Sequence, residues 1–204
     1  SDGSAVWYTG MGTISSSTFS GSLVEYSGGQ TLGGSYQAPS VRRVIGTMTI
    51  AFSSATTATL TWPNGSTLAI ERFNIVSGGV TAGSASGDPE KGWWWSASES
   101  GRGYFIETQG STRSLYMAAY MYDSDAGAVW YVSGGNLQSG VFGVGATFSS
   151  TFSEYANGQT LGGTWRAPTL SASRGTLSID FTSSTRATLT LPNGTQVSLV
   201  RFTF

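Results

Sequence analysis

Thr59-Leu60-Thr61-Trp62-Pro63-Asn64-Gly65-Ser66-Thr67-Leu68-Ala69-Ile70 is the stretch on which the fold turns. Leu60 and Trp62 alternate with threonines, an Asn-Gly pair follows, and Leu68 and Ile70 resume the alternation beyond it. A period of two puts every second side chain on one face of a strand. Asn-Gly between two such runs signals a hairpin, because both residues tolerate the φ > 0 that a type I′ turn requires. The pattern returns at Ala187-Thr188-Leu189-Thr190 and Asn193-Gly194. Met48, Ile50 and Phe52 alternate with Thr47, Thr49 and Ala51, and Leu115, Met117 and Ala119 with Tyr116, Ala118 and Tyr120. No window carries sustained helical periodicity, so the chain reads as all-β.

The hairpin belongs to a longer self-match. Glu25 to Ile75 aligns without a gap on Glu154 to Phe204, an offset of 129 residues (154 minus 25), with about half of the pairs identical. Gly29-Gln30-Thr31-Leu32-Gly33-Gly34 recurs as Gly158-Gln159-Thr160-Leu161-Gly162-Gly163, and Arg72-Phe73 as Arg201-Phe202. Upstream, Val6-Trp7-Tyr8 matches Val129-Trp130-Tyr131 at a shorter offset, the second copy carrying extra residues around Gly143–Ser149. Such self-similarity marks a repeat architecture. The second copy is preceded by Gly92–Tyr122, which has no counterpart in the first. The reading is therefore a tandem antiparallel β repeat. Residues 1–75 form an incomplete unit lacking about three strands, 76–91 a flexible Gly/Ser linker, and 92–204 a complete unit. About eight strands in the complete unit suit an up-and-down barrel or a two-sheet sandwich, with Trp130, Phe181, Leu189 and Leu199 expected in its core.

Composition narrows the function. Charged residues are 10% of the 204, against roughly 25% in an average soluble domain, and the net charge is −1. With no Cys and no His, disulfides, Cys- or His-ligated metals, His-based triads and Cys nucleophiles are excluded. Near-neutrality offers no footprint for nucleic acid or an anionic membrane, and no run of about 18 apolar residues exists to span a bilayer. No cofactor or metal is expected. Asp123-Ser124-Asp125 is read as a tight turn in preference to a calcium loop.

The run Gly92-Trp93-Trp94-Trp95, Glu99-Ser100-Gly101-Arg102-Gly103-Tyr104, Tyr120-Met121-Tyr122-Asp123, with Val129-Trp130-Tyr131, Gly158-Gln159-Thr160-Leu161 and Pro192-Asn193-Gly194, resembles a β-rich repeat of secreted proteobacterial proteins. That repeat occurs at C-termini or in tandem and has no established activity. The resemblance implies export to the cell surface or beyond and a modular, non-catalytic role. It carries over no catalytic residue.

Two groups of residues stand out. Trp93, Trp94 and Trp95 are the candidate ligand-binding surface. On a strand Trp94 faces away from the other two, either as an exposed platform for sugars or proteins or covering a barrel end while Trp93 and Trp95 fill the core. Glu25, Glu154, Arg72 and Arg201 are repeated charges in a charge-poor chain, read as structural ion pairs. Arg201 is expected to take Glu154 first and Glu107 second, and Arg72 to take Glu25. An acid–base reading of Glu99 and Glu107 is set aside, so no catalytic residue is named.

The expectation is a secreted structural subunit that self-associates through strand pairing into a filament, matrix or adhesive surface. The alternative is a carbohydrate- or surface-binding module, with glycans as partners. Neither nucleic acid nor membrane is expected as a partner.

Overall fold

A computed structural model of the protein describes residues 3–75, 88–110, 112–140 and 145–204. The described residues form fourteen strands and no helix. The first five make an open antiparallel sheet in chain order: β1 (Tyr8–Ser15), β2 (Thr18–Ser27), β3 (Ser40–Phe52), β4 (Thr57–Thr61) and β5 (Thr67–Glu71). The second group is β6 (Gly92–Trp95), β7 (Gly103–Gln109), β8 (Ser114–Tyr122), β9 (Ala128–Asn136), β11 (Ala146–Asn157), β12 (Pro168–Ser183), β13 (Arg186–Thr190) and β14 (Gln196–Arg201). Each of these pairs with the next, and β14 pairs with β6, giving a closed eight-stranded barrel. The two-residue β10 (Gln138–Ser139) hems one end of β11. Barrel, not sandwich, is the architecture, and closure removes the unpaired edges that an open sheet presents.

The Asn-Gly turns differ from the expected type. Gly65 N–H donates to Trp62 O at 2.9 Å and Gly194 N–H to Leu191 O at 2.8 Å. Gly65 and Gly194 lie at φ +83° and +85°, whereas Asn64 and Asn193 keep negative φ. Each is a three-residue Pro-Asn-Gly connection: proline fixes the first corner of a type I turn and glycine takes the left-handed residue after it. Asn64 and Asn193 each accept, through Oδ1, the N–H two residues on, at 3.0 Å.

Alternation fills the barrel. Ile106, Met117, Met121, Phe148, Phe152, Leu177, Ile179, Phe181, Leu189 and Leu199 are buried at its centre. An eight-stranded barrel is just wide enough for its own side chains to fill. Trp130 is the exception to the expected core. Its neighbours Val129 and Tyr131 are the buried ones, and the indole lies on the outer wall, stacked on Tyr155 at 5.5 Å. Strand parity decides this: with Val129 and Tyr131 inward, the residue between them must point out.

Closure rests on a short seam. β14 meets β6 through Val200 opposite Trp95 and Arg201 opposite Trp94. Arg201 extends it: Nε donates to Lys91 O at 2.9 Å, and Nη1 to Trp93 O at 3.0 Å and to Phe202 O. The expected linker is only partly in view, since residues 76–87 lie outside those described. Asp88–Lys91 is fastened to the barrel, which corrects its assignment to a flexible segment. Glu90 N–H donates to Ser184 O at 2.8 Å, Asp88 pairs with Arg113 at 3.3 Å, and Lys91 O is held by Arg201. Arg201→Met removes the donors from these carbonyls. Thermal or urea unfolding should show a loss of about 2–3 kcal/mol, the scale of hydrogen bonds to a charged group, and an unchanged midpoint would refute the clasp.

Candidate functional site

The open sheet meets the outer wall of the barrel at an aromatic cluster. Trp7 stacks on Tyr26 at 6.3 Å and packs on Tyr122 at 5.2 Å and Tyr120 at 6.0 Å. Its Nε1–H donates to Met121 O at 3.2 Å. Phe73, just beyond β5, packs on Tyr116 at 5.3 Å. Beside the Trp7 cluster runs a groove of about 470 Å³ lined by Trp7, Tyr26, Pro39, Trp93, Arg102 and Tyr120, among others. Burial raises the Tyr120 and Tyr122 phenols above their ordinary range, Tyr122 additionally through Tyr26.

The aromatic triplet is divided differently from either expectation. Trp94 is fully buried, edge-on to Phe181 at 5.6 Å, its Nε1–H donating to Glu90 O at 2.9 Å. It is neither an exposed platform nor a lid on the barrel end. Trp93 faces out, against Phe105 and Tyr120 at 5.7 and 5.5 Å, and Trp95 packs on Phe202 at 5.3 Å. Trp94 lies opposite Tyr104 across β6 and β7, and Tyr104 points inward. One inward indole with a carbonyl for its N–H satisfies a small barrel; two would overfill it. Trp94→Ala should therefore cost about 3–5 kcal/mol of stability in urea unfolding, the scale of an aromatic core truncation, while Trp93→Ala should cost far less.

The repeated charges also choose other partners than expected. Glu25 is buried and held by Arg42 and Arg43, each at 2.8 Å, rather than by Arg72. Glu154 takes Arg174 at 2.6 Å rather than Arg201. The reason is topological. Arg43 lies directly across from Glu25 on the neighbouring β3, whereas β5 is three strands away from β2. Arg72 instead crosses to Glu107 on the barrel wall at 2.6 Å, where Lys91 also approaches to 3.6 Å. Arg201 keeps the carbonyls of the seam, with Glu90 no nearer than 4.0 Å. Glu99 pairs with Arg102, so Glu99 and Glu107 have separate cationic partners and are not brought together. Asp123 Oδ1 accepts the N–H groups of Asp125 and Gly127 at 2.9 and 2.7 Å, closing the turn.

The loops Gly29–Gly34 and Gly158–Gly163 share an internal brace that sequence reasoning missed. Gln30 Nε2 donates to Gly34 O, and Gln159 Nε2 to Gly163 O at 2.8 Å. Each loop faces the Pro-Asn-Gly turn of the other half. A Cβ at Gly33 would lie 2.0 Å from Asn193 Nδ2, and one at Gly162 2.5 Å from Asn64 Nδ2. Gly28 N–H donates to Ala126 O at 3.2 Å, and Asn157 N–H to Gly3 O at 3.0 Å. These partners are matched by the sequence offsets, so the contacts are reciprocal. The recurrence of both motifs was the available signal, although sequence alone gives no sign that they meet.

No family model matches the chain, and neither a curated protein nor a solved structure does.

Buried phenols make the protein sensitive to alkali. Burial, then the Glu154 carboxylate, pushes Tyr131 up to about 12, and burial raises Tyr104 beyond that. Unfolded tyrosine ionises near pH 10. A raised acid holds its proton more tightly in the folded chain, so its stabilisation is complete below pH 10 and is lost as pH climbs towards 12. Absorbance at the tyrosinate band should show a delayed phase coincident with unfolding. A single step near pH 10 in the folded protein would contradict it.

Proposed function

We propose that the chain is a non-catalytic structural subunit, exported to the cell surface or beyond, that self-associates into a filament, matrix or adhesive layer by strand addition at its open sheet. In this reading residues 1–75 are an incomplete form of the unit that is complete in 92–204. What supports it is a difference in exposure between matched residues. Phe52 and Leu68 are 41% and 43% exposed, while Phe181 and Val197, their partners at the 129-residue offset, are each 3% exposed. The apolar face that closes a barrel in one half is left partly open in the other, and among the described residues no strand pairs with the outer edge of β1 or β5. Strand addition supplies main-chain hydrogen bonds, burial of the open face recovers about 25 cal/mol per Å² of apolar surface, and repetition through a non-closing contact builds filaments.

The test uses the ladder phase of β5. Arg72 N–H donates to Thr56 O at 2.7 Å on the β4 side, so by alternation Leu68 and Ile70 face β4 and Ala69 presents its N–H to the free edge. Ala69→Pro removes that donor without breaking the existing ladder. In sedimentation velocity the chain should form dimers or longer arrays at micromolar concentration, and Ala69→Pro should reduce them. Monomers for both refute the reading.

A second reading, glycan binding, rests on the groove of Trp7, Tyr26, Trp93 and Tyr120, whose aromatic faces suit sugar rings. Trp93→Ala should then abolish retention on a glycan array. No retention of the parent protein on any glycan refutes it.

A further inference from the structure

The open sheet and the exposed loop around Trp165 differ in the same way from their matched counterparts, which both lie against β6–β8. The first observation is that, among the described residues, no strand pairs with the outer edge of β5 or of β1. β5 is matched in sequence to β14, and the start of β1 to the start of β9. In the barrel β14 and β9 are bridged by β6, β7 and β8. A segment of those three strands is therefore the length and order that joins β5 to β1.

The second observation is the reciprocity of the contacts between the halves. Gly28 with Ala126 and Asn157 with Gly3 are matched hydrogen bonds, and Gly33 with Asn193 and Gly162 with Asn64 are matched approaches. An approximate two-fold relation follows, of the kind in which one patch meets its own copy. It has one unfulfilled part. The first loop seats on the β6–β8 segment: Tyr122 N–H donates to Gln30 O at 3.0 Å, Thr31 bridges Tyr122 in parallel, and Tyr36 Oη meets Ser100 Oγ at 3.1 Å. Gly101 lies so close to Pro39 that a Cβ on it would fall 2.0 Å from the ring. Among the described residues the second loop has no such segment beneath it, and Trp165, matched to Tyr36, is 80% exposed. A crevice of about 740 Å³ opens there, lined by Gly3–Val6 on one side and Asn157–Leu161 and Arg166 on the other, among others.

We propose that the partner of the open side is a three-strand polypeptide segment of the Gly92–Tyr122 pattern, supplied by a further repeat. It pairs with β5 and β1 and passes beneath the loop Gly158–Pro168, covering Trp165. Its parts are fixed by the barrel: an aromatic triplet on β5, a Ser-Gly-Arg-Gly corner under Trp165 and Pro168, and an alternating strand on β1. Arg72 would then clasp the carbonyls of the incoming strand as Arg201 clasps Lys91 and Trp93. A second copy of the chain can pair edge to edge at β5 or β1, as the reading above has it, but it does not donate this three-strand segment, because its own β6–β8 already closes its own barrel. This identification rests on the strand-addition reading above and names the added strands.

The probe is a peptide of residues 92–122, carried on a solubility tag and added to the full chain. Acrylamide quenching, differenced against Trp165→Phe, isolates the Trp165 signal. The peptide should bind, reduce Trp165 quenching severalfold, and lose both effects with Ala69→Pro. Absence of binding, or binding that leaves Trp165 quenchable, overturns the proposal. So does hydrogen exchange showing that the peptide has displaced β6–β8 from the barrel. If the chain self-associates without peptide yet the peptide fails to protect Trp165, the assembly reading stands and this identification falls. If the chain is monomeric and the peptide protects Trp165, this identification stands and self-assembly falls.

Discussion

The grip of Arg201 on the carbonyls of Lys91 and Trp93 is the contact on which the barrel depends. Seven of its eight neighbouring pairs join strands consecutive in the barrel, most through tight turns; the eighth, β14 with β6, joins its last strand to its first. That seam has only two register pairs, so a charged donor near its end carries a large share of closure. With the seam shut, Trp94 is sealed inside against Phe181, and Trp93 and Trp95 are turned outward. The outer wall that receives Trp7, Arg72 and Phe73 is thus a by-product of the same closure.

Arg72 shows what the same residue does without the seam. It is matched in sequence to Arg201, but among the described residues no strand pairs with the outer edge of β5 for it to clasp. Its guanidinium turns to Glu107 on the neighbouring barrel. The pair joins a partly exposed guanidinium to a buried carboxylate. The same residue type therefore closes a fold in one place and links two bodies in the other, and the difference lies in what surrounds it.

The strands were legible because alternation and turn residues are local properties. Met48, Ile50 and Phe52, or Leu60 with the Pro-Asn-Gly turn, declare their strands without reference to the rest of the chain. The internal match makes about eight strands in one half and five in the other readable from the sequence. Facing was harder. Trp130 and the Trp93–Trp95 triplet are apolar on both sides, and a run of aromatics does not say which of its members points inward; that is set by Tyr104 across the sheet. Partner choice was harder still. Repetition singles out Glu25, Glu154, Arg72 and Arg201, but it does not encode distance across a sheet. Arg42, Arg43 and Arg174, which hold the two carboxylates, do not recur at matched positions and so gave no signal. The aromatic groove depends on how two bodies sit together and left no trace in either sequence alone.

The seam also sets how the barrel would carry force. The chain enters at Lys91 and leaves at Phe202, and these two points lie side by side, since Phe202 N–H donates to Trp93 O at 2.8 Å. Tension applied there would peel β14 from β6 one bond at a time instead of sliding the strands past each other under simultaneous load. The barrel would open at low force and could reclose when released, acting as an extensible link.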